Sequence, residues 1–235
     1  MKKLTLLFIL IILSCGRDLE VKSGEKYISK MYFSPNNYFS FNYKNKQLTN
    51  IIYKNENRST DINIEYKNNI PYIITLNSLN VDYTAILNYN NGKLVQVEKK
   101  YSDNSKIITK FLYNSENKVK EIISNDGNTD IEIVNFKYQL NTINSSNSRD
   151  LLNYTINYDD KKSPFYNIDE GIIFAVFVVQ GEIFPEYINT RNNIIKSITQ
   201  NGISQYNKYQ YLDDLPIEKI EEKESIITKY EYINL

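Results

Sequence analysis

The sequence has no histidine, no tryptophan and a single cysteine among 235 residues, and its 28 basic side chains are matched by 28 acidic ones. Without histidine, the usual zinc ligands, Ser–His triads and the commonest general base are excluded together. One cysteine excludes a disulfide framework and a thiolate metal cluster. Balanced charge gives no electrostatic ground for nucleic acid as a partner. Gly-rich phosphate loops and dinucleotide fingerprints do not occur, so no cofactor is expected. What is there is aromatic: 21 Tyr and 10 Phe within a hydrophobic fraction of 41%. That content argues against disorder, and the length suits one domain of ordinary size, or at most two small ones, with a real core.

The chain opens on Lys2 and Lys3, followed by an apolar run from Leu4 to Leu13. That run is too short to cross a bilayer as a helix and fits the core of a secretory signal peptide. Nor does any later run suffice, since Ile172 to Val179 is eight residues long. The leader ends in Ile12-Leu13-Ser14-Cys15, which resembles a bacterial lipobox. The resemblance implies that Cys15 becomes the lipidated first residue of the mature protein. Anchoring then needs no membrane span, because two or more acyl chains hold firmly where one binds marginally. Removing residues 1–14 takes away two lysines and leaves 26 basic against 28 acidic groups, a net of about −2. Residues 15–24 read as a lipidated, polar tether. Gly16 after the cysteine, in place of Asp, resembles lipoproteins sent to the outer membrane.

Tyrosine recurs at a spacing near 24. Tyr43, Tyr66, Tyr89, Tyr113, Tyr138 and Tyr158 are 23, 23, 24, 25 and 20 residues apart, and Tyr187 and Tyr211 resume at 24. Two residues earlier stands Phe41, Ile64, Leu87, Phe111, Phe136, Ile156 or Tyr209. A polar cluster usually follows, then an apolar residue such as Leu48, Leu94, Val119 or Pro216, then a second at Ile51, Val97, Ile122 or Ile220. This is hairpin grammar, with apolar residues at alternate positions lining one face of each strand. Ile107, Thr109, Phe111 and Tyr113 share one face, and Ile226, Thr228, Tyr230 and Tyr232 repeat it. Asn91-Gly92, Asp126-Gly127 and Asn201-Gly202 suit type I′ turns. At Ile131 to Phe136 the apolar parity slips by one, which a bulge would restore.

Seven or eight such units predict an all-β fold: a large antiparallel up-and-down meander of about fourteen strands, forming a curled single sheet or a partly closed barrel over residues 25–235. From Ile168 to Ile188 the rhythm is lost. Asn167 or Asp169 can cap a helix and Gly181 and Pro185 can stop one, while the β-branched and aromatic content suits a buried strand; a short helical or apolar insertion near 168–180 is expected, packed on the curved sheet. The Tyr-(Asn/Asp)-x-x-(Gly/Lys)-x-(Leu/Val) units, best seen at Tyr158-Asp159-Asp160-Lys161-Lys162-Ser163-Pro164-Phe165, resemble the tyrosine–aspartate repeats of bacterial surface proteins. With the later Asn192-Asn193-Ile194, the chain from about 38 to 235 is similar to a group of Bacteroidota lipoproteins. That resemblance implies an architecture and a compartment rather than a reaction.

Candidate chemistry is sparse. Asp126 to Asp130 superficially suggests a calcium loop, yet Ile131 stands where the tight-turn glycine is needed and Lys137 where the bidentate glutamate is needed, so a hairpin turn is expected and no metal. Asp159-Asp160 and Asp213-Asp214 read as solvated turns. The Lys/Glu alternation from Glu218 to Glu224 reads as a protected sheet edge. Glu182 and Glu186 flank Phe184, and a carboxylate-based hydrolase would need them in a cleft that nothing in the sequence supplies. The repeat tyrosines Tyr43, Tyr66, Tyr89, Tyr113, Tyr138, Tyr158 and Tyr211 are the remaining candidates, as a structural ladder or as surface aromatics for stacking on sugars or peptide. The expectation is a non-enzymatic, lipid-anchored binding or structural module of the bacterial cell envelope, at the outer membrane. Its partners would be the membrane, through the lipid on Cys15, and an envelope glycan or protein. The alternative is a carrier of lipid or hydrophobic ligand in a half-barrel.

Overall fold

The computed structural model describes residues 24–78, 81–148, 153–178, 188–199, 201–202, 204–223 and 225–235. Cys15, Tyr187 and the Glu182/Glu186 pair lie outside the described residues. The first eight strands are β1 (Lys26–Ser34), β2 (Asn37–Lys44), β3 (Gln47–Asn55), β4 (Arg58–Lys67), β5 (Ile70–Asn77), β6 (Tyr83–Asn90), β7 (Lys93–Tyr101) and β8 (Lys106–Tyr113). The second eight are β9 (Val119–Asn125), β10 (Asp130–Gln139), β11 (Thr142–Asn147), β12 (Asn153–Lys162), β13 (Asn192–Thr199), β14 (Ser204–Leu212), β15 (Leu215–Glu221) and β16 (Ile226–Asn234). Every strand pairs antiparallel with its sequence neighbours, and β1 pairs with β16, so the meander closes into a sixteen-stranded barrel. The expected fourteen fell two short, because a count that runs from Tyr43 to the hairpin after Tyr211 leaves out β1 and β16.

Closure removes the edge that the charges of Glu218 to Glu224 were expected to protect. Among them Lys219 and Glu221 line an interior cavity, while Glu218 pairs across the wall with Lys229.

The turns follow from residues that tolerate positive φ. Asn45-Lys46, Asn68-Asn69, Asn91-Gly92 and Asp213-Asp214 have both central φ values between 49° and 74°, as two-residue type I′ turns require. At Asp126-Gly127 the structure departs from that expectation. Gly127 takes φ 99°, and the Asp126 carboxylate accepts from the Asn128 and Thr129 amides, which makes a wider Asx-type loop.

One bulge recurs beside the repeat tyrosines. In β2–β3, Asn42 faces Asn50 but Tyr43 faces Leu48, leaving Thr49 unpaired in the ladder. The same slip occurs at Tyr66, Tyr89, Tyr113 and Tyr211. It explains why the returning apolar residues are three apart. Leu48 and Ile51, Leu94 and Val97, Val119 and Ile122 all point inward and are buried, which strict alternation forbids and one extra residue restores. The next hairpin's tyrosine then donates to the carbonyl at the bulge: Tyr66 to Leu48, Tyr113 to Leu94 and Tyr138 to Val119, at 2.7–2.9 Å. Tyr43 does the same to Ile28 and Tyr232 to Pro216. A buried carbonyl is thereby satisfied and adjacent hairpins are tied together. The parity slip at Ile131 is also a bulge, placing Glu132 and Val134 inward.

A barrel of this size would leave a wide lumen if only its own side chains filled it. Here residues 163–178 fill it. Helix α1 (Glu170–Ile173), capped by the Asp169 carboxylate accepting from the Gly171 amide, runs into a π-helical turn, Phe174–Val178, and Gly171 through Val178 are all buried. Phe174 stacks on Phe111 at 5.4 Å, Phe177 meets Phe39 at 5.6 Å, and Phe165 meets Phe41 at 6.2 Å. The insertion is therefore an internal plug rather than a layer on the sheet. An apolar run with no polar face needs contacts on every side, and only the lumen offers them. A Cβ at Gly171 would run into the Tyr89 hydroxyl and crowd the Asp169 carboxylate, so any side chain there would have to displace them.

The wall's outer face carries many charged and polar side chains, with Leu112, Tyr206, Ile227 and Ile233 exposed among them. Asp61, Asn63 and Glu65 on β4, Lys110 on β8, Asn135 and Lys137 on β10, and Lys229 and Glu231 on β16 are all exposed. A bilayer-spanning barrel has the reverse arrangement, apolar outside and polar inside, and each Lys at the bilayer midplane costs about 2–4 kcal/mol.

Candidate functional site

The seven repeat tyrosines stand on the lumen side of the wall. Tyr43, Tyr66, Tyr113 and Tyr138 turn their hydroxyls to backbone carbonyls, and Tyr158 is buried in the core. Tyr89 donates to Asp169 of the helix cap at 3.4 Å. Burial pushes the Tyr43, Tyr66, Tyr89, Tyr113 and Tyr138 hydroxyls well above the ordinary tyrosine range. Burial also raises the Asp169 and Glu170 carboxyls where the plug begins.

Asp159 is not a solvated turn residue. It lies within β12, where its carboxylate accepts from the Asn193 backbone amide at 3.0 Å, the Asn193 side-chain amide at 3.2 Å and the Tyr211 hydroxyl. The repeat tyrosine Tyr211 thus joins β14 to β12 across β13. Asp213-Asp214 does form an exposed turn, held by Lys26 and Lys161 at 2.7 Å each.

Among the described residues, strands β13 and β14 ladder over three pairs, Lys196 with Tyr206, Ser197 with Gln205 and Ile198 with Ser204. Below Lys196 the strands part, and side chains close the gap. The Ile194 carbonyl accepts from the Asn207 amide at 2.8 Å and from the Tyr209 hydroxyl at 2.9 Å.

Behind this seam, between the plug and β13–β16, lies a cavity of about 300 Å³. Its lining combines aromatic surfaces, Phe33, Phe165, Tyr209 and Tyr230, with Asn193, Asn207 and Thr228. Asn193 is 3% exposed and Thr228 1%. The Asn193 and Asn207 amide nitrogens are committed to carboxylate or carbonyl acceptors, which fixes the rotamer and leaves Oδ1 of each without a protein partner. The Thr228 hydroxyl also has none. Three such oxygens on residues around one cavity are an unusual concentration, because buried polar atoms are nearly always hydrogen-bonded, yet each has almost no accessible surface of its own. The nearby Lys219 and Glu221 bond to each other, so the cavity carries no net charge.

These residues escaped the sequence reading although each occupies an interior slot of the repeat. Asn207, four before Tyr211, stands where Phe39, Ile62, Ala85 and Val134 stand in other units. Lys219, three after Pro216, stands where Ile51, Val97 and Ile122 stand, while Ile220, expected inward, lies on the outer row. The signal was polar residues in apolar slots.

A second cavity, of about 500 Å³, lies along β1–β7 and is lined by Phe33, Phe39, Tyr53, Tyr83 and Tyr101 with Lys99. The Lys99 amine sits 4.4 Å from the centre of the Tyr83 ring. Among the described residues no group of His, Cys, Asp and Glu is arranged to hold a metal ion.

No protein-family model and no curated protein matches the chain. Among solved structures it is similar to a porin-like protein from Bacteroides uniformis, at 12% identity and a TM-score of 0.58, covering 88% of this chain and 98% of that one. A porin-like protein from Bacteroides vulgatus aligns over 89% of this chain and 100% of its own, at 10% identity and a TM-score of 0.40. The likeness to the first is one of fold: a closed, antiparallel, up-and-down β-barrel.

Proposed function

We propose that the protein is a plugged, water-facing barrel of the bacterial cell envelope, held at the outer membrane by a lipid on Cys15, and that it acts as a non-enzymatic binding module. The observation that carries the reading is the arrangement of the wall: charged residues outside, an apolar plug inside and a cavity between plug and wall. Such a barrel gains nothing from crossing a bilayer and offers no open lumen for solutes. An anchor at the front end supplies the membrane attachment that the wall does not. The fold shared with a porin-like protein of Bacteroides agrees with an envelope setting. A carrier holding an acyl chain in a half-barrel is disfavoured, because the strand order closes into a barrel and the buried run Ile172 through Val178 fills its interior.

The test is a Cys15→Ser variant expressed in a bacterium that processes lipoproteins. Wild-type protein is expected in the membrane fraction with the added mass of a diacylglyceryl group, and the variant in the soluble fraction without it. A variant that still fractionates with membranes, at a mass equal to that of the wild type, would overturn the anchor.

A further inference from the structure

We propose that the end of the barrel at which the chain enters is a docking face for an anionic lipid bilayer, with Leu140 as its penetrating tip. The inference rests on the anchor at Cys15 proposed above and adds which end faces the membrane. At this end β1 begins, β12 leads into the plug and β16 stops, and the Asn167 side-chain amide donates to the Lys26 carbonyl at 2.8 Å. Residues 16–23 separate Cys15 from Gly24, so the linkage spans at most about 30 Å. Nine-residue strands such as β1, tilted as barrel strands are, make a wall about 20–25 Å tall. The far end meets the bilayer only with that linkage drawn nearly taut, whereas the near end meets it at any extension.

The two-residue turns at the near end share one backbone shape. Asn45, Asn68, Asn91 and Asp213 open four of them with φ between 49° and 54°, which asparagine and aspartate tolerate. A fifth opens on Leu140 at φ 47°. Leucine gains nothing from that conformation and its side chain is fully exposed, so neither turn chemistry nor the core accounts for it. Lipid does, since an apolar tip on the rim leaves water when the rim seats on a bilayer. Ile70 and Leu212, each beside a turn of the same rim, are exposed as well. Val81 and Ile226 are exposed at the far end, so charge is what separates the two. At the near rim Glu25, Glu116, Asp213 and Asp214 each pair with a lysine, and Lys44, Lys67 and Lys93 add positive charge beyond those pairs. The far turns carry Glu56, Asp82, Asp103, Asp126 and Asp130 against Arg58 and Lys106. A layer of anionic headgroups attracts the first set and repels the second.

The experiment uses the absence of tryptophan and the single cysteine. The mature chain is coupled through Cys15 to a maleimide-headgroup lipid in vesicles of phosphatidylethanolamine and phosphatidylglycerol with brominated acyl chains. One tryptophan at a time is introduced as Leu140→Trp, Leu212→Trp or, at the far end, Val81→Trp. Relative to unbrominated vesicles, Leu140→Trp and Leu212→Trp are expected to lose emission and shift to the blue, and Val81→Trp to do neither. Replacing phosphatidylglycerol by phosphatidylcholine is expected to weaken the quenching. Leu140→Asn is expected to reduce quenching of Leu212→Trp while leaving the melting temperature unchanged or raised, because asparagine suits the turn. Equal quenching at the two ends, quenching as strong without the anionic lipid, or a lower melting temperature for Leu140→Asn would overturn the proposal. The coupling is chemical and so independent of processing in the cell. Quenching at the near rim alongside a wild-type chain that fractionates as soluble refutes only the anchor. A membrane-bound wild type whose Leu140→Trp variant is unquenched on vesicles refutes only the docking face.

Discussion

Phe174→Ala is expected to cost about 3–5 kcal/mol of unfolding free energy, one of the largest single losses available in the molecule. Phe174 is 1% exposed and lies in the π-helical turn at the middle of the lumen, its ring parallel within 12° to Phe111 of the wall. Truncation removes the transfer free energy of the ring and opens a void that the ladder around it cannot collapse to fill. Equilibrium urea unfolding followed by tyrosine fluorescence reads the effect. The comparison is Leu112→Ala, the residue after Phe111 on the same strand but on the outer face, where it is 38% exposed. Equal losses for the two variants would mean that the plug is not part of the core.

The second large effect is a dependence on pH. Lys99 is 1% exposed among aromatic rings, and burial pushes its amine down from 10.5 to about 7, against the smaller attraction of the Tyr83 ring. Below pH 7 the amine is protonated in folded and unfolded chains alike. Between about 7 and 10.5 the folded chain releases the proton and the unfolded chain keeps it, so stability rises with pH, by at most about 5 kcal/mol. Above pH 10 the buried tyrosines reverse the trend. Their hydroxyls are held above the ordinary value, so the unfolded chain ionises first and stability falls. Denaturation midpoints measured across the range from about pH 6 to 11 are expected to peak near pH 10, and Lys99→Met is expected to flatten the rise from 7 to 10. An equal slope in wild type and variant would contradict this role for Lys99.

Much of the barrel was legible because its rules are local. Alternation placed Phe111 inward and Lys110 outward, and tyrosine spacing fixed the hairpin length. Even the bulge was implicit in the three-residue interval between Leu48 and Ile51. Closure was not legible, since the pairing of Lys26 with Asn234 depends on the total strand number and twist rather than on any neighbouring residue. The plug's position followed from closure and was lost with it. Ile172 to Val178 was recognisable as buried, but a sheet surface and a lumen make the same demand on an apolar run. The cavity residues were hidden by composition: in a chain rich in asparagine, Asn193 and Asn207 are distinguished only by knowing that their slots face inward.

A barrel that meets water outside and is filled inside is tested most directly by adding the mature chain, made as Cys15→Ser and purified without detergent, to a planar lipid bilayer under voltage. The protein is expected to stay soluble in plain buffer and to add no conductance. A chain that requires detergent and opens stepwise ion currents would contradict it.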